Sequence, residues 1–211
     1  MQTLARHPRV VGLVLAAGAS RRFGSDKRQW LLAPGVSVLD AVLRAQRAVL
    51  DEVWVLTRPG DAFAQVRCQA HGVRCVEVLQ AEHGMGHTLS AGVHALQARD
   101  DVDAVVLALA DMPLVRPTTL HAVLDAATRS GRVSVPVHEG RVGHPRVLPR
   151  AVWPALLGLQ GDQGARDALD WSQAERVAVN DPGVLLDADT PEQAVSLRSL
   201  WLGQAQGSEP G

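Results

Sequence analysis

From Val10 to Lys27 the chain reads VVGLVLAAGASRRFGSDK. Its first part, up to Ala17, is almost entirely apolar, and such a run is typical of a strand buried on both faces of a parallel sheet. We therefore expect a central β-strand over 10–17. Small residues, two glycines and three cations follow, so this strand should lead directly into a polar loop.

The loop after this strand has the composition of a phosphate-binding site. Gly18 and Gly24 leave backbone N–H groups accessible to a ligand, while two arginines and Lys27 supply positive charge. Open α/β sheets bind their ligands at the carboxyl ends of such strands. The spacing is neither that of a Walker A loop nor that of a Rossmann fingerprint. A glycine-rich turn with solvated arginines is the alternative that the loop alone leaves open.

Strand and helix patterns alternate on either side of this loop. Short apolar runs recur at Glu52–Thr57, Arg74–Leu79 and Asp103–Ala110, and the residues between them have helical spacing. Ser37 is placed to cap one helix and Pro117 to begin another. This alternation predicts an α/β fold with a mostly parallel sheet.

The pattern changes after Gly131. Arg132–His138 and Gly140–Leu148 resemble consecutive strands and predict a small antiparallel addition to the sheet. A last helix is expected from about Thr190 through Trp201. We expect one domain over 1–202, followed by a disordered tail at 203–211.

Composition narrows the class of protein. The chain has 211 residues, of which 46% are hydrophobic, and this is sufficient for one compact core. Its 21 basic and 22 acidic residues give a net charge of −1, which argues against a nucleic-acid or membrane partner. Cys68 and Cys75 imply no disulfide framework, and no secretory signal is evident. These features predict a cytoplasmic protein.

Two separated carboxylates are candidate metal ligands. Asp111 follows a predicted strand at its carboxyl end, where it could hold the Mg²⁺ that accompanies a nucleoside triphosphate. Asp189 lies just before the last predicted helix. The neighbouring Thr190 and Gln193 also fit a helix-capping box, so this segment has a purely structural alternative. Whether Asp187 contributes to the metal site stays open at this point.

Three motifs together resemble the MobA-like family of nucleotidyltransferases. The segment Leu15–Lys27 is similar to the family's opening motif, Gly84–Leu89 to its Gly-Met-x-x-Ser-Leu segment, and Ala110–Pro113 to its Asp-Met-Pro motif. The resemblance extends over nearly the whole chain. It implies a single-domain, three-layer Rossmann-like nucleotidyltransferase fold and the transfer of a nucleotidyl group with release of pyrophosphate.

Three further segments are similar to the molybdenum cofactor cytidylyltransferase branch, namely 143–145, 161–166 and 187–191. The resemblance implies that the triphosphate is CTP and that the phosphorylated acceptor is a molybdopterin-type cofactor, with a molybdoenzyme as a possible recipient. It assigns Mg²⁺ to Asp111 and Asp189. The implied nucleotide-binding residues are Leu15, Ala16, Ala17, Gly18, Arg22, Gly24, Lys27, Thr88 and Asp111; Lys27, Arg22 and Asp111 are also the catalytic residues, and His144, Asp162 and Arg166 contact the acceptor.

The sequence departs from the family pattern at 28–30, at His87 and at Gln193. Because the first two could alter a binding pocket, other functions stay open. They are a guanylyltransferase for the same cofactor, a cytidylyltransferase for a sugar or polyol phosphate, and a noncatalytic carrier that delivers the cofactor to a molybdoenzyme.

Overall fold

The computed structural model of the protein describes residues 8–20 and 22–206. The strands are β1 (Val10–Leu15), β2 (Leu31–Ala33), β3 (Val36–Ser37), β4 (Glu52–Thr57), β5 (Arg74–Glu77), β6 (Ala104–Leu109), β7 (Ser134–His138), β8 (Arg141–Val142), β9 (Arg146–Pro149) and β10 (Glu175–Ala178). The helices are α1 (Val38–Arg47), α2 (Ala62–His71), α3 (Met85–Gln97), α4 (Pro117–Ser130), α5 (Trp153–Leu156), α6 (Ala165–Ala168) and α7 (Pro191–Gln206).

The main sheet has the order β10-β7-β9-β6-β1-β4-β5, with β8 paired to β7. Strand β1 is parallel to both of its neighbours, β4 and β6, and β5 continues this parallel half. Strand β9 runs antiparallel between β6 and β7. The prediction of a mostly parallel sheet with a small antiparallel addition is therefore confirmed.

Helix ends follow from local chemistry. The Ser37 hydroxyl accepts from the Asp40 backbone N–H, while the Asp40 carboxylate accepts from the Ser37 N–H, which completes a capping box for α1. Pro117 occupies the first turn of α4, where its missing N–H costs no hydrogen bond. Gly131 ends the same helix with a φ of 66°, a conformation that glycine adopts without strain.

Alternate strand residues face two hydrophobic clusters on opposite sides of the sheet. Leu13 of β1 contributes to one cluster, whereas its neighbour Val14 contributes to the other. A third cluster contains Phe23, Leu32 and Leu197. Because this third cluster packs the segment after β1 together with α7, it brings the two ends of the described chain to one place.

The second strand of the predicted antiparallel pair is broken. Instead of one strand over 140–148, the structure has β8 and β9 separated by residues 143–145. A Cβ atom on Gly143 would lie 2.2 Å from the Val184 carbonyl oxygen, and Pro145 has no N–H to donate. Close backbone contact and proline therefore interrupt the ladder.

At the C-terminal end, α7 continues to Gln206, past the predicted domain boundary at residue 202. The rest of the predicted tail, 207–211, lies outside the described residues. None of the described helices combines the length and apolar character needed to cross a bilayer.

Candidate active site

A cleft of about 750 Å³ opens at the carboxyl ends of β1 and β6. This is the edge at which parallel α/β sheets bind ligands, because loops diverge there on both sides of the sheet. Most residues that the sequence assigned to the site line this cleft, namely Leu15, Ala16, Ala17, Gly18, Arg22, Lys27, Thr88, Asp111, Asp162 and Asp189. The first strand and the distant carboxylates thus share one cavity.

The loop after β1 is held by its backbone. The Ala16 N–H donates to the Leu56 carbonyl oxygen over 2.9 Å, which extends the pairing between β1 and β4 beyond the strand end. Ser20 has a φ of 49° and its carbonyl oxygen accepts from the Phe23 N–H. Gly24 has a φ of 76° and shapes the turn without lining the cleft. Arg21 lies outside the described residues.

Arg28 holds this loop in place with its buried guanidinium. Its side chain is 4% exposed, and its Nη1 donates to the Ala16 carbonyl oxygen over 2.7 Å. The guanidinium also contacts both carboxylate oxygens of Asp26 and lies 2.6 Å from Asp61 Oδ2. The Asp61 contact is an ion pair without hydrogen-bond alignment. Arg28 therefore neutralises two aspartates while it orients one carbonyl of the loop.

Lys27 lies between two carboxylates that are far apart in sequence. Its Nζ is 2.5 Å from Asp111 Oδ2 and 2.9 Å from Asp189 Oδ1. Burial opposes the charge of Lys27, but Asp111 and Asp189 outweigh this effect and raise the pKa of its ammonium. Lys27 is therefore a fixed positive charge at the cleft.

Asp187 joins Asp111 and Asp189 to form an aspartate triad, in which one carboxylate oxygen from each residue lies within 4.8 Å of the others. The Ala188 N–H donates to the Asp111 carbonyl oxygen over 3.0 Å, and the buried Ala188 side chain belongs to the third hydrophobic cluster. Burial, then Asp189 and Asp111, raise the pKa of the Asp187 carboxyl. The triad has the oxygen ligands and charge that a hard divalent cation requires.

The capping interpretation of the same segment is also correct. Gln193 Oε1 accepts from the N–H groups of Asp189 and Thr190, and the Thr190 hydroxyl accepts from the Gln193 N–H. Since these bonds use the backbone of Asp189, its carboxylate stays available to Lys27 and to Arg22, which donates to it over 3.0 Å. Helix capping and site formation therefore coexist.

One wall of the cleft is formed by the start of α3. The Thr88 hydroxyl donates to the Gly84 carbonyl oxygen over 3.3 Å, and Thr88 is buried at the cleft surface. A Cβ atom on Gly84 would lie 2.2 Å from the Gly161 carbonyl oxygen, so only glycine allows this approach. His87 Nδ1 accepts from the Gly161 N–H, which explains why a histidine fits at this departure from the family pattern.

Two of the three predicted acceptor contacts do not line the cleft. His144 faces a separate small cavity with Val42 and Gln46, and its Nδ1 is buried without a hydrogen-bond partner among the described residues. Burial, followed by the charge of Arg146, lowers the pKa of the His144 imidazole to about 3. The structure thus does not bring His144 to the cleft, and the His144 N–H donates to the Val184 carbonyl oxygen over 3.0 Å. Arg166 lies beside the cleft on α6, whereas Asp162 lines it.

The sequence interpretation did not select two cations of the site. Arg58 follows β4, lines the cleft and donates to the Gly18 carbonyl oxygen over 3.4 Å. Its position directly after a parallel strand was an available signal. Arg28 appeared only as a departure from the family pattern, and no spacing rule reveals its buried contacts.

With this geometry established, the family follows from comparison with known proteins. The MobA-like NTP transferase domain matches residues 12–177. The chain belongs to this family. Within it, the chain is 34% identical to the purine catabolism protein PucB of Bacillus subtilis strain 168 over 199 residues, which cover 89% of this chain and 95% of PucB.

Two further relatives of this MobA-like transferase carry names that point to other activities than that of PucB. It is 28% identical over 202 residues to the nicotine blue oxidoreductase of Paenarthrobacter nicotinovorans, covering 90% of this chain and 97% of the relative. A probable molybdenum cofactor guanylyltransferase of Geobacillus sp. strain WCH70 is 24% identical over 136 residues, covering 64% of this chain and 66% of the relative.

Among solved structures, Rv0371c of Mycobacterium tuberculosis H37Rv in complex with manganese superimposes with a TM-score of 0.71 and 25% identity, covering 90% of this chain and 98% of that chain. The family and the fold therefore agree that the chain is a nucleotidyltransferase.

Proposed function

We propose that the protein transfers a cytidylyl group from CTP to a phosphorylated small molecule, a molybdopterin-type cofactor, and releases pyrophosphate. The observation that carries this proposal is the position of Lys27 between Asp111 and Asp189 at the loop that follows β1. A nucleotidyl transfer needs fixed positive charge for the triphosphate and carboxylates for its metal at one place.

Each group has a role that its position supports. The backbone from Leu15 to Gly18 would receive the base and sugar, while Arg22 and Lys27 would hold the triphosphate. Lys27 is anchored and 15% exposed, whereas Arg22 is 80% exposed and free to follow its ligand. Thr88 would help to position the nucleoside from the opposite wall.

The reaction proposed here is a direct in-line displacement. An acceptor phosphate oxygen attacks the α-phosphorus of CTP, a new P–O bond forms, and the bond to the β-phosphate breaks as pyrophosphate leaves. A phosphate is already anionic at neutral pH, so no general base is required. The contribution of this chain is alignment and neutralisation of charge, which commonly dominates phosphoryl chemistry.

Mg²⁺ fits the aspartate triad. This cation uses one or two protein carboxylates together with phosphate oxygens, and Asp111 and Asp189 are the ligands that we propose, with Asp187 adjacent. The metal would neutralise charge on the triphosphate. The manganese complex of the mycobacterial relative supports a divalent cation in this fold.

The proposed acceptor and the proposed nucleotide, CTP, are supported by different observations. The names of the guanylyltransferase relatives support a molybdenum cofactor substrate. We propose a molybdoenzyme as the recipient of the product. The preference for CTP depends on the motifs at 143–145, 161–166 and 187–191. Because the main alternative is a guanylyltransferase, GTP is the nucleotide that competes most directly with this assignment.

The name of the nicotine blue oxidoreductase raises the alternative of a redox function. A dinucleotide-dependent redox function would require a dinucleotide-binding site in this chain. The segment nearest to a dinucleotide fingerprint is 84–89. Its Gly86 N–H donates to the Gly161 carbonyl oxygen, and a Cβ there would lie 2.8 Å from the Gln160 carbonyl oxygen. Protein backbone covers both glycines, which argues against a pyrophosphate group at this position.

The test combines ligand binding with turnover. Thermal unfolding is measured with CTP, GTP, ATP and UTP plus Mg²⁺, because a ligand that binds only the native state raises its stability. Pyrophosphate release is then measured with the preferred nucleotide and a molybdopterin-type acceptor. Preferential stabilisation by GTP would replace the cytidylyl assignment, and nucleotide binding without pyrophosphate release would favour a carrier.

A further inference from the structure

Two arginines and a tryptophan form a cluster beside the cleft, on the side of β9 and α6. The Arg146 guanidinium carbon lies 4.7 Å from the centre of the Trp171 ring, a cation–π distance. Trp171 Nε1 in turn donates to the Arg166 carbonyl oxygen over 3.0 Å. We call Arg146, Arg166 and Trp171 the arginine cluster.

The arginine cluster has positive charge without a protein counter-ion. Within the described ranges, neither Arg146 nor Arg166 has a carboxylate at ion-pair distance, and Arg146 Nε is buried without a hydrogen-bond partner. Burial, and then the charge of Arg166, lower the pKa of the Arg146 guanidinium. A half-buried guanidinium next to a second positive charge, here Arg146 next to the exposed Arg166, is unfavourable unless an anion neutralises it. The cluster is therefore suited to an anion from outside the chain.

Strand register locates the arginine cluster relative to the aspartate triad. Arg146 pairs with Leu107, and Leu109 emerges from the same face of β6 two residues later and lines the cleft. Asp111 follows Leu107 by four residues, which is at most roughly 13 Å along an extended chain. The register thus places the backbone of Arg146 next to the strand that leads to Asp111, on the face of the sheet that Leu109 shares.

The other arginine also approaches the cleft. Arg166 lies in α6, which begins after Gly164, and a Cβ atom on Gly164 would lie 3.0 Å from Cε of Met85 on the cleft wall. Contacts from both β9 and α6 therefore lead to the same side of the cavity.

We propose that the arginine cluster is a subsite for an anionic group of the acceptor, remote from the phosphate that attacks the nucleotide. Guanidinium groups bind phosphate and carboxylate through paired, charge-assisted hydrogen bonds, and Trp171 holds the Arg146 plane in position. This subsite depends on the proposed function, because it assigns the anion to the acceptor. It adds Arg146 as a specificity-determining residue and requires an acceptor with a second charged group.

Inorganic phosphate is the probe for this subsite. The arginine Nε–H and tryptophan Nε1–H signals of ¹⁵N-labelled protein are followed during phosphate titration, with and without CTP and Mg²⁺ to fill the nucleotide cleft. We expect saturable shifts of the Arg146 and Trp171 signals in both conditions. Arg166→Gln, at an exposed side chain, should weaken the response about tenfold or more, as expected for loss of a charge-assisted contact.

Matched variants separate binding from folding. Arg146→Gln should abolish the Trp171 shift, Arg146→Lys should retain part of it, and Arg176→Gln, at an exposed position on β10, should leave it unchanged. An Arg146 signal that does not respond to millimolar phosphate would overturn the subsite. So would equal phosphate affinity in the wild type and the Arg166→Gln variant.

Nucleotide binding is measured by thermal unfolding in the same samples. If CTP and GTP stabilise the wild type but phosphate does not move the Arg146 signal, only the subsite fails. If no nucleoside triphosphate stabilises the wild type, the proposed function fails, and the assignment of the anion to a nucleotidyl acceptor falls with it.

Discussion

Replacing Lys27 by alanine would remove the ammonium that neutralises the aspartate triad. Nζ of Lys27 contacts Asp111 and Asp189, and the Lys27 side chain is 15% exposed, so water would compensate this loss incompletely. In the variant, the triad would retain Arg22, but that side chain is 80% exposed and contacts Asp189 alone. The carboxylates would then repel one another in the folded state.

The expected cost follows from these contacts. A hydrogen bond to a charged group contributes about 1.5–3 kcal/mol, and the remaining Arg22 favours the lower half of this range, about 2 kcal/mol. For a chain of this length each kcal/mol lowers Tm by about 2–4 °C, so we expect a decrease of about 4–8 °C at pH 7 without divalent cations. Turnover should fall more, by roughly 10²–10³-fold, as for the loss of a group that stabilises transition-state charge.

The sign of the pH dependence is fixed by the triad. Burial, Asp189 and Asp111 already raise the pKa of Asp187. Loss of Lys27 would raise the pKa of Asp187 further and would remove the hydrogen bond and charge that lower the pKa of Asp189, so the folded variant would bind protons more readily than the folded wild type. Destabilisation should therefore be greatest near neutral pH and should diminish on acidification through these raised pKa values.

Thermal unfolding of wild type, Lys27→Ala and Lys27→Arg in EDTA, Mg²⁺ and Mn²⁺ measures this effect. Divalent cations should restore more stability to the alanine variant than to the wild type, since a cation can replace the lost charge. The arginine variant keeps the charge, and Arg129→Ala serves as an exposed control on α4. An alanine variant with wild-type Tm in EDTA and no additional gain from metal would refute the proposed role of the triad.

Three further substitutions test other parts of the structure. Arg28→Met would leave two aspartates without their buried partner and should cost about 3–5 kcal/mol by urea unfolding, with weaker nucleotide binding; a loss below 1 kcal/mol would contradict its anchoring role. Gly84→Ala would force a Cβ into backbone at 2.2 Å and should cost about 2 kcal/mol or more, whereas Gly158→Ala, with open space at its Cβ, should not. The pKa of His144 is lowered to about 3, so its imidazole stays neutral in the folded protein, and the free energy of unfolding of the wild type should fall by about 2 kcal/mol between pH 7 and 5 as the histidine of the unfolded chain takes up a proton. His144→Met should remove this pH dependence. An unchanged pH dependence in the variant would refute the assignment of the effect to His144.

The sequence predicted β1, the strand that leads into the site, more securely than the tertiary contacts that bring distant segments to it. Unbroken apolar residues identify β1, and the rule for parallel strand ends then locates Asp111 at the cleft. The proximity of Asp189 could be inferred only from family resemblance, because a third hydrophobic cluster creates it. No sequence period encodes such a contact.

The prediction for His144 shows a different limit. The family resemblance implied an acceptor contact for His144, but the His144 N–H donates to the Val184 carbonyl oxygen and its side chain lines a different cavity. Its neighbour Arg146 gave no motif signal at all. Its unpaired charge is visible only when the surroundings of its guanidinium are known.

The third hydrophobic cluster makes the site dependent on the segment from Asp187 through α7. A nascent chain that ends before residue 187 contains β1, β6 and Lys27, but lacks the segment that supplies Asp187 and Asp189. Such a fragment would leave Lys27 with a single aspartate partner and its hydrophobic support from α7 missing. Competence to bind metal and triphosphate therefore requires synthesis to proceed through α7, and truncation before residue 187 should remove it while the central sheet is retained.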